Sequence, residues 1–320
     1  MVSNSSRSQP GLPDGRGGTN ASFQGRIHGI FLGPRGVRAG WRMLNAIFLW
    51  IIFSALLMVA LVAIPAIRSW TYTQNLRIMT PSLLLFGDGI AAIAAILSGI
   101  VIARLEQRSF AGYGLPLNGD SVKRAAQGLI FGFVMVSALI GLIAVAHDFS
   151  FGQRALTVWD AARYGLFYAL GFMTLAFFEE FSFRGYLQAI LAPGAGFWPA
   201  AVLLSVFFGA IHLDNPGETY VGVMTAACFG LLAAFSLRRT GGIWLAIGMH
   251  MAWDWGLTYF YSVPDSGIPA VGHLMKSSLH GTRWIAGGLA GPEGSVFAFL
   301  VLAAAAVALH YLFPAKPRAL

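Results

Sequence analysis

The chain has 320 residues, 57% of them hydrophobic and only 11% charged, with a mean hydropathy of +0.68. A water-soluble domain is about a quarter charged, so this composition excludes a globule covered by water. The net charge of +8 invites a nucleic-acid reading, but the Lys and Arg stand between apolar runs, as membrane orientation requires, and no nucleic-acid partner is expected.

Residues 1–42 are rich in Gly, Ser and Arg, with Asp14 as their only acid. They lack an apolar stretch followed by a small-residue cleavage site, so they read as a disordered basic cytoplasmic tail, with a transit peptide as the lesser alternative. Eight apolar stretches then approach the ~20 residues needed to cross the hydrocarbon core. They lie near 44–66, 81–103, 125–147, 162–191, 197–213, 219–237, 242–262 and 293–313. The fold class is therefore all-α, a polytopic membrane helix bundle of about eight transmembrane helices. Its parts are the tail 1–42, a first transmembrane helix and outer loop at 43–80, a core at 81–313, and a short cytoplasmic tail at 314–320.

Positive charge sets the orientation. With the N-terminus cytoplasmic, the inner side carries Arg7, Arg16, Arg26, Arg35, Arg38, Arg42, Arg104, Arg108, Lys123, Arg124, Arg238, Arg239, Lys316 and Arg318. The outer side carries Arg68, Arg77, Arg154, Arg163, Lys276 and Arg283. Both termini are expected inside, in an integral membrane protein. The Gly/Pro-rich loop 263–292 then lies outside and reads as an ordered cap. Ala192-Pro193-Gly194-Ala195-Gly196 reads as a tight turn between the fourth and fifth spans. Cys228, the only cysteine, excludes an internal disulfide and reads as a small packing residue.

Ionised side chains at bilayer depth cost about 2.5–17 kcal/mol, so those present need partners and a reason. The fourth span carries Glu179, Glu180 and Arg184. Glu180 and Arg184 are four apart, in the favourable order for a helical ion pair, and Glu179 points about 100° away. Taken alone, the pair reads equally well as a structural ion pair. His212 ends the fifth span. Positions 179 and 212 mirror one another about the Pro-Gly turn, which puts both about 20 Å from it, able to share a water. His250 and Asp254 are four apart on one face of the seventh span. Three spans each bringing an inward polar cluster point to one functional cavity.

Other polar residues carry less. Asp88, between Gly87 and Gly89, either lines the cavity or breaks its helix. His310 reads as an interfacial anchor, His273 and His280 show no ligand spacing, and Asp214, Asn215 and Glu218 read as loop and cap residues.

The order Glu179-Glu180…Arg184, Phe208…His212, His250…Asp254 resembles the CPBP family, the CAAX proteases and bacteriocin-processing enzymes, also called Abi. The likeness spans roughly 80–313, including Gly288-Leu289-Ala290-Gly291-Pro292-Glu293-Gly294, which is similar to bacterial members. Asp254 departs from the Asn of eukaryotic-type CAAX enzymes. The resemblance implies hydrolysis of a peptide bond inside the membrane, in a bacterial plasma membrane. Glu179 and His212 would activate the water, and His250 and Asp254 would orient and stabilise the oxyanion. Glu180, Arg184 and Phe208 would support them. Glu179, His212 and His250 would hold a Zn²⁺ if one is used; the His-Glu-x-x-His signature is absent, and a metal-free glutamate mechanism fits the same residues. The implied partners are a hydrophobic or lipidated peptide or protein substrate and membrane lipid. Two other classes remain: a non-catalytic scaffold or immunity and regulatory protein, and a proton-coupled transporter, although inverted repeats and paired broken helices are not seen.

Overall fold

The computed structural model describes residues 32–33 and 36–314. A two-residue hairpin (β1 Leu32–Gly33, β2 Gly36–Val37) precedes α1 (Ala39–Val62) and the short α2 (Pro65–Tyr72). There follow α3 (Pro81–Leu105), α4 (Gly119–Val145), β3 (Phe149–Ser150), α5 (Val158–Ala195), α6 (Phe197–Ile211) and α7 (Tyr220–Thr240). The chain ends with α8 (Trp244–Trp255), β4 (Ser278–Leu279), α9 (Arg283–Ala286) and α10 (Val296–Leu312).

Among the described residues, 6 helices are long and apolar enough to cross a membrane. The other two of the eight expected stretches are helical as well. The stretch near 242–262 is a 12-residue α-helix, α8, followed by a 6-residue π-helical turn, Gly256–Tyr261. The last helix, α10, has 17 residues. Both sit within the bundle, where neighbouring helices rather than length fix them. Helix α1 begins at Ala39, and residues 1–31, 34–35 and 315–320, which hold most of the expected tails, lie outside the described residues.

Caps mark the helix starts. Thr80 accepts from the Leu83 amide ahead of Pro81, and Asn118 and Ser121 form a capping box. Thr157 and Thr219 accept from the amides of Asp160 and Gly222. Between α5 and α6 the turn is tighter than the sequence suggests. Pro193 and Gly194 remain helical, and Gly196 alone reverses the chain at φ +90°, a value that favours glycine.

Helix α8 is central. It packs on α4 and α5, with α7 beside it, while α3 bridges α1 and α5, and α6 pairs with α7. Its closeness to α4 depends on glycine. A Cβ on Gly128 or Gly132 would strike the Leu245 or Met249 carbonyl, and one on Gly248 would strike the Ala125 carbonyl. Small residues four apart let two membrane helices touch backbone to backbone, gaining van der Waals contact where lipid supplies no hydrophobic drive. Leu245, Ala246 and Met249 are consequently fully buried.

The helices alternate between two faces. One, the terminal face, holds the start of α1 and the 106–118, 196 and 241–243 connections. The other, the cap face, holds the 63–80 linker, the 212–219 turn and the 263–292 loop. That loop is ordered: β4 pairs antiparallel with β3, and the Met79 amide donates to the Pro269 carbonyl at 2.8 Å.

Candidate active site

Glu179 and Glu180 sit just before a π-helical segment, Phe181–Leu187, inside α5. Asp254 likewise sits just before the π turn that extends α8. Such wide turns displace the helix register and often accompany functional sites. Here they follow both carboxylate-bearing motifs, which the sequence did not reveal.

Glu180 is fully buried, and one oxygen serves two partners. Its Oε1 accepts from Arg184 Nη1 at 3.2 Å and from His250 Nδ1 at 2.9 Å. Arg184, 3% exposed, also donates from Nε to the Gly230 carbonyl at 3.3 Å, and its guanidinium lies 4.3 Å from the Phe208 ring centroid. Cation, carboxylate and aromatic face thus neutralise a charge that lipid would not tolerate. Gly230 leaves the room for this, since a Cβ there would collide with Arg184 Nη2.

With Nδ1 donating to Glu180, His250 turns Nε2 toward two further carboxylates. Glu179 Oε2 lies 3.6 Å away and Asp254 Oδ2 3.5 Å away. His212 caps α6. Its Nδ1 is 2.7 Å from the Phe208 carbonyl, which only accepts, so Nδ1 carries the proton and Nε2 keeps its lone pair in the neutral ring. The Phe208 ring packs edge-on against both histidines, with centroids at 4.9 Å from His212 and 6.1 Å from His250.

Glu179, Phe208, His212, His250 and Asp254 line one cavity of about 630 Å³. Glu180 and Arg184 stand behind it. All three motifs thus contribute to one cavity. Asp88 also lines the cavity, within an unbroken α3, which settles its two readings. Cys228 is corrected: it is exposed on α7, not packed inside, because the sequence shows apolarity but not which side of a helix meets lipid.

The opposite wall is made by residues that carried little weight in the sequence. Asn215, Asp265, Ser266 and Glu293 all face the cavity. Glu293 Oε1 accepts from the Trp253 indole at 2.8 Å, and Oε2 accepts from the Ser266 amide and hydroxyl, both at 2.7 Å. Asn215 Nδ2 donates to the Ser266 carbonyl at 3.0 Å. Ser266 and Gly267 both have positive φ, +45° and +75°, in a turn closed by the Ile268 amide and the Asp265 carbonyl at 2.8 Å. Burial and nearby Glu293 push the Asp265 carboxyl well above its usual range, and Thr258 donates to it at 3.1 Å. Burial raises Glu218, on the 212–219 turn, to about 7.

Among the described residues no group of three or more His, Cys, Asp and Glu side chains is placed to hold a metal ion. His250 has its Nδ1 engaged by Glu180, and His212 has its Nδ1 engaged by a carbonyl. This leaves each Nε2 available, yet Glu179, His212 and His250, which line the same cavity, do not form such a group, and no step below passes through a metal.

Residues 161–256 match the family model described as type II CAAX prenyl endopeptidase Rce1-like. The matched segment runs from α5 into α8 and contains all three motifs, in agreement with the resemblance to the CPBP and CAAX protease family. No curated protein and no solved structure gives a significant match. The chain is an integral membrane protein similar to this protease family over that segment.

Proposed function

We propose that the chain is an intramembrane endopeptidase that hydrolyses a peptide bond of a hydrophobic or lipidated, membrane-associated substrate. The observation that carries this reading is one cavity lined by the Glu179 carboxylate, the unengaged Nε2 edge of His212 and a His250 ring fixed from behind by Glu180. Glu179 takes a proton from water with His212 beside it, and the water oxygen attacks the scissile carbonyl carbon. The C–N bond breaks as the abstracted proton passes to the leaving amine. With both ring nitrogens protonated, His250 donates from Nε2 to the developing oxyanion while Nδ1 holds Glu180, and Asp254, one turn further along α8, orients that ring. The distances of 3.5 and 3.6 Å from Nε2 exceed direct hydrogen bonds, so neither carboxylate ties this nitrogen up.

We place the protein in a plasma membrane with its terminal face cytoplasmic. Fourteen Lys and Arg lie on that face or in the tails that adjoin it, against six on the cap face.

The test is reconstitution in proteoliposomes with two probes, a prenylated CAAX-type peptide and an unlipidated hydrophobic peptide, with products read by mass spectrometry. Cleavage of either by wild type, undiminished by a chelator, supports the metal-free reading. Loss with chelator and recovery with Zn²⁺ would replace it with a metal mechanism. No cleavage of any peptide would favour a scaffold, and proton-linked uptake without cleavage would favour a transporter.

A further inference from the structure

The cavity has a direction. Its lining draws on the end of α1 (Met58, Val62), the 63–80 linker (Leu76, Ile78), the first two turns of α3 and the turn at Ser266, all on the cap face. The terminal-face connections at 106–118, 196 and 241–243 contribute no lining residue. Beneath Glu179 the bundle is filled instead by Tyr113, Phe181, Tyr186, Ile243 and Ile247, all buried in one apolar cluster. Water and substrate therefore have a path to Glu179 from the cap face and a packed plug on the other side.

The mouth also opens sideways. Met58 on α1 and Ile211 on α6 are 40% and 43% exposed, and Leu76 on the linker is 82% exposed, yet all three line the cavity. A polar chamber reached past exposed apolar rims is a shape that admits a chain from the lipid rather than from bulk water. The short α2 lies beside this rim, with Trp70 against Phe86 of α3 at 5.2 Å and Tyr72 exposed, aromatics suited to the membrane interface.

We propose that the substrate is a membrane-anchored segment whose scissile bond lies in the extracytoplasmic half of the bilayer, entering between α1 and α6. This rests on the hydrolase reading and on the charge-based orientation. It makes a translocated protein with an apolar or lipidated anchor the substrate class, and it excludes a cytoplasmic prenylated C-terminus.

The experiment has two arms in whole cells. In a Cys228→Ser background, Ser278→Cys on β4 and Ser109→Cys on the terminal-face connection are treated with a membrane-impermeant maleimide. Labelling of Ser278→Cys in intact cells, with Ser109→Cys labelled only after permeabilisation, supports the proposal; the reverse overturns it. In the second arm, new peptide termini in the membrane proteome are compared between wild type and Glu179→Gln. Termini lost in Glu179→Gln should fall in the extracytoplasmic half of substrate anchors, and a cytoplasmic position overturns the proposal. Absence of any Glu179-dependent terminus removes the hydrolase reading and this proposal with it, while the labelling arm still reads the orientation separately.

Discussion

The two walls of the cavity are built differently. One is carried by α5, α6 and α8, whose motif residues are set by helical repeat and by one ion pair. The other is carried by the 212–219 turn and the 263–295 region, where Asn215, Ser266 and Glu293 meet through contacts between segments 27 to 51 residues apart. The first wall supplies the reacting groups on rigid supports. The second encloses them, and its hydrogen bonds converge on one carboxylate, Glu293. Catalysis should fail by changes in the first wall that leave the fold intact, and enclosure should fail by changes in the second that leave the reacting groups in place.

The largest expected effect is on the helical wall. His212→Ala removes a group that faces the cavity and is held by the Phe208 carbonyl and ring alone among its hydrogen-bond and ring contacts, so the protein should fold normally while cleavage per folded molecule drops about 10²–10⁴-fold. A variant that folds and cleaves normally would show that this wall does not carry the chemistry.

Next is the support behind it. Arg184→Ala leaves Glu180 as a buried carboxylate without its cation, which costs roughly 3–5 kcal/mol. Detergent-solubilised protein should show a lower melting temperature and a smaller folded fraction. Gly230→Ala should act in the same direction by displacing the guanidinium, and unchanged melting in both would contradict the assigned role of the pair.

The cap wall should give smaller and more local losses. Glu293→Gln replaces a charged acceptor of three hydrogen bonds, each worth about 1.5–3 kcal/mol when charge-assisted, with an amide that still meets part of the demand. Hydrogen exchange should quicken across 263–292 with little change in α4 and α8, and KM should rise more than kcat falls. A global loss of protection would mean that the cap is integral to the core.

The smallest effect is a pH dependence. Glu218 has a folded-state pKa raised from 4.5 to about 7, so folding favours its neutral form. Stability from this group is therefore greatest at low pH, falls as pH rises from about 4.5 towards 7, and levels off above. Glu218→Gln should flatten that part of a melting-temperature profile. An identical profile in the variant would remove Glu218 as its source.

This contrast also explains what the sequence made legible. Glu179, Glu180 and Arg184, and His250 with Asp254, sit at spacings a helix turns into a shared face, and the turn at Gly196 brings His212 to the same cavity. Six spans follow from apolar length alone. The close packing of α8 on α4 rests on glycine contacts, which pattern cannot show. The hydrogen bond from His250 to Glu180 crosses between α8 and α5, so Glu180 appeared only as the partner of Arg184. Asn215, Ser266 and Glu293 are polar residues in loops, and only the chain's three-dimensional path gives them a common target. The Gly-Pro-Glu run ending at Glu293 was the one available signal.

The central claim is that Glu179 activates the attacking water while Glu180, its neighbour, holds His250. The most direct test is a single-turnover cleavage rate per folded molecule for wild type, Glu179→Gln and Glu180→Gln in proteoliposomes, with folded protein quantified in parallel. The account predicts that Glu179→Gln is fully folded and slowed about 10²–10⁴-fold, whereas Glu180→Gln loses folded protein. A Glu179→Gln protein that cleaves at the wild-type rate would contradict it.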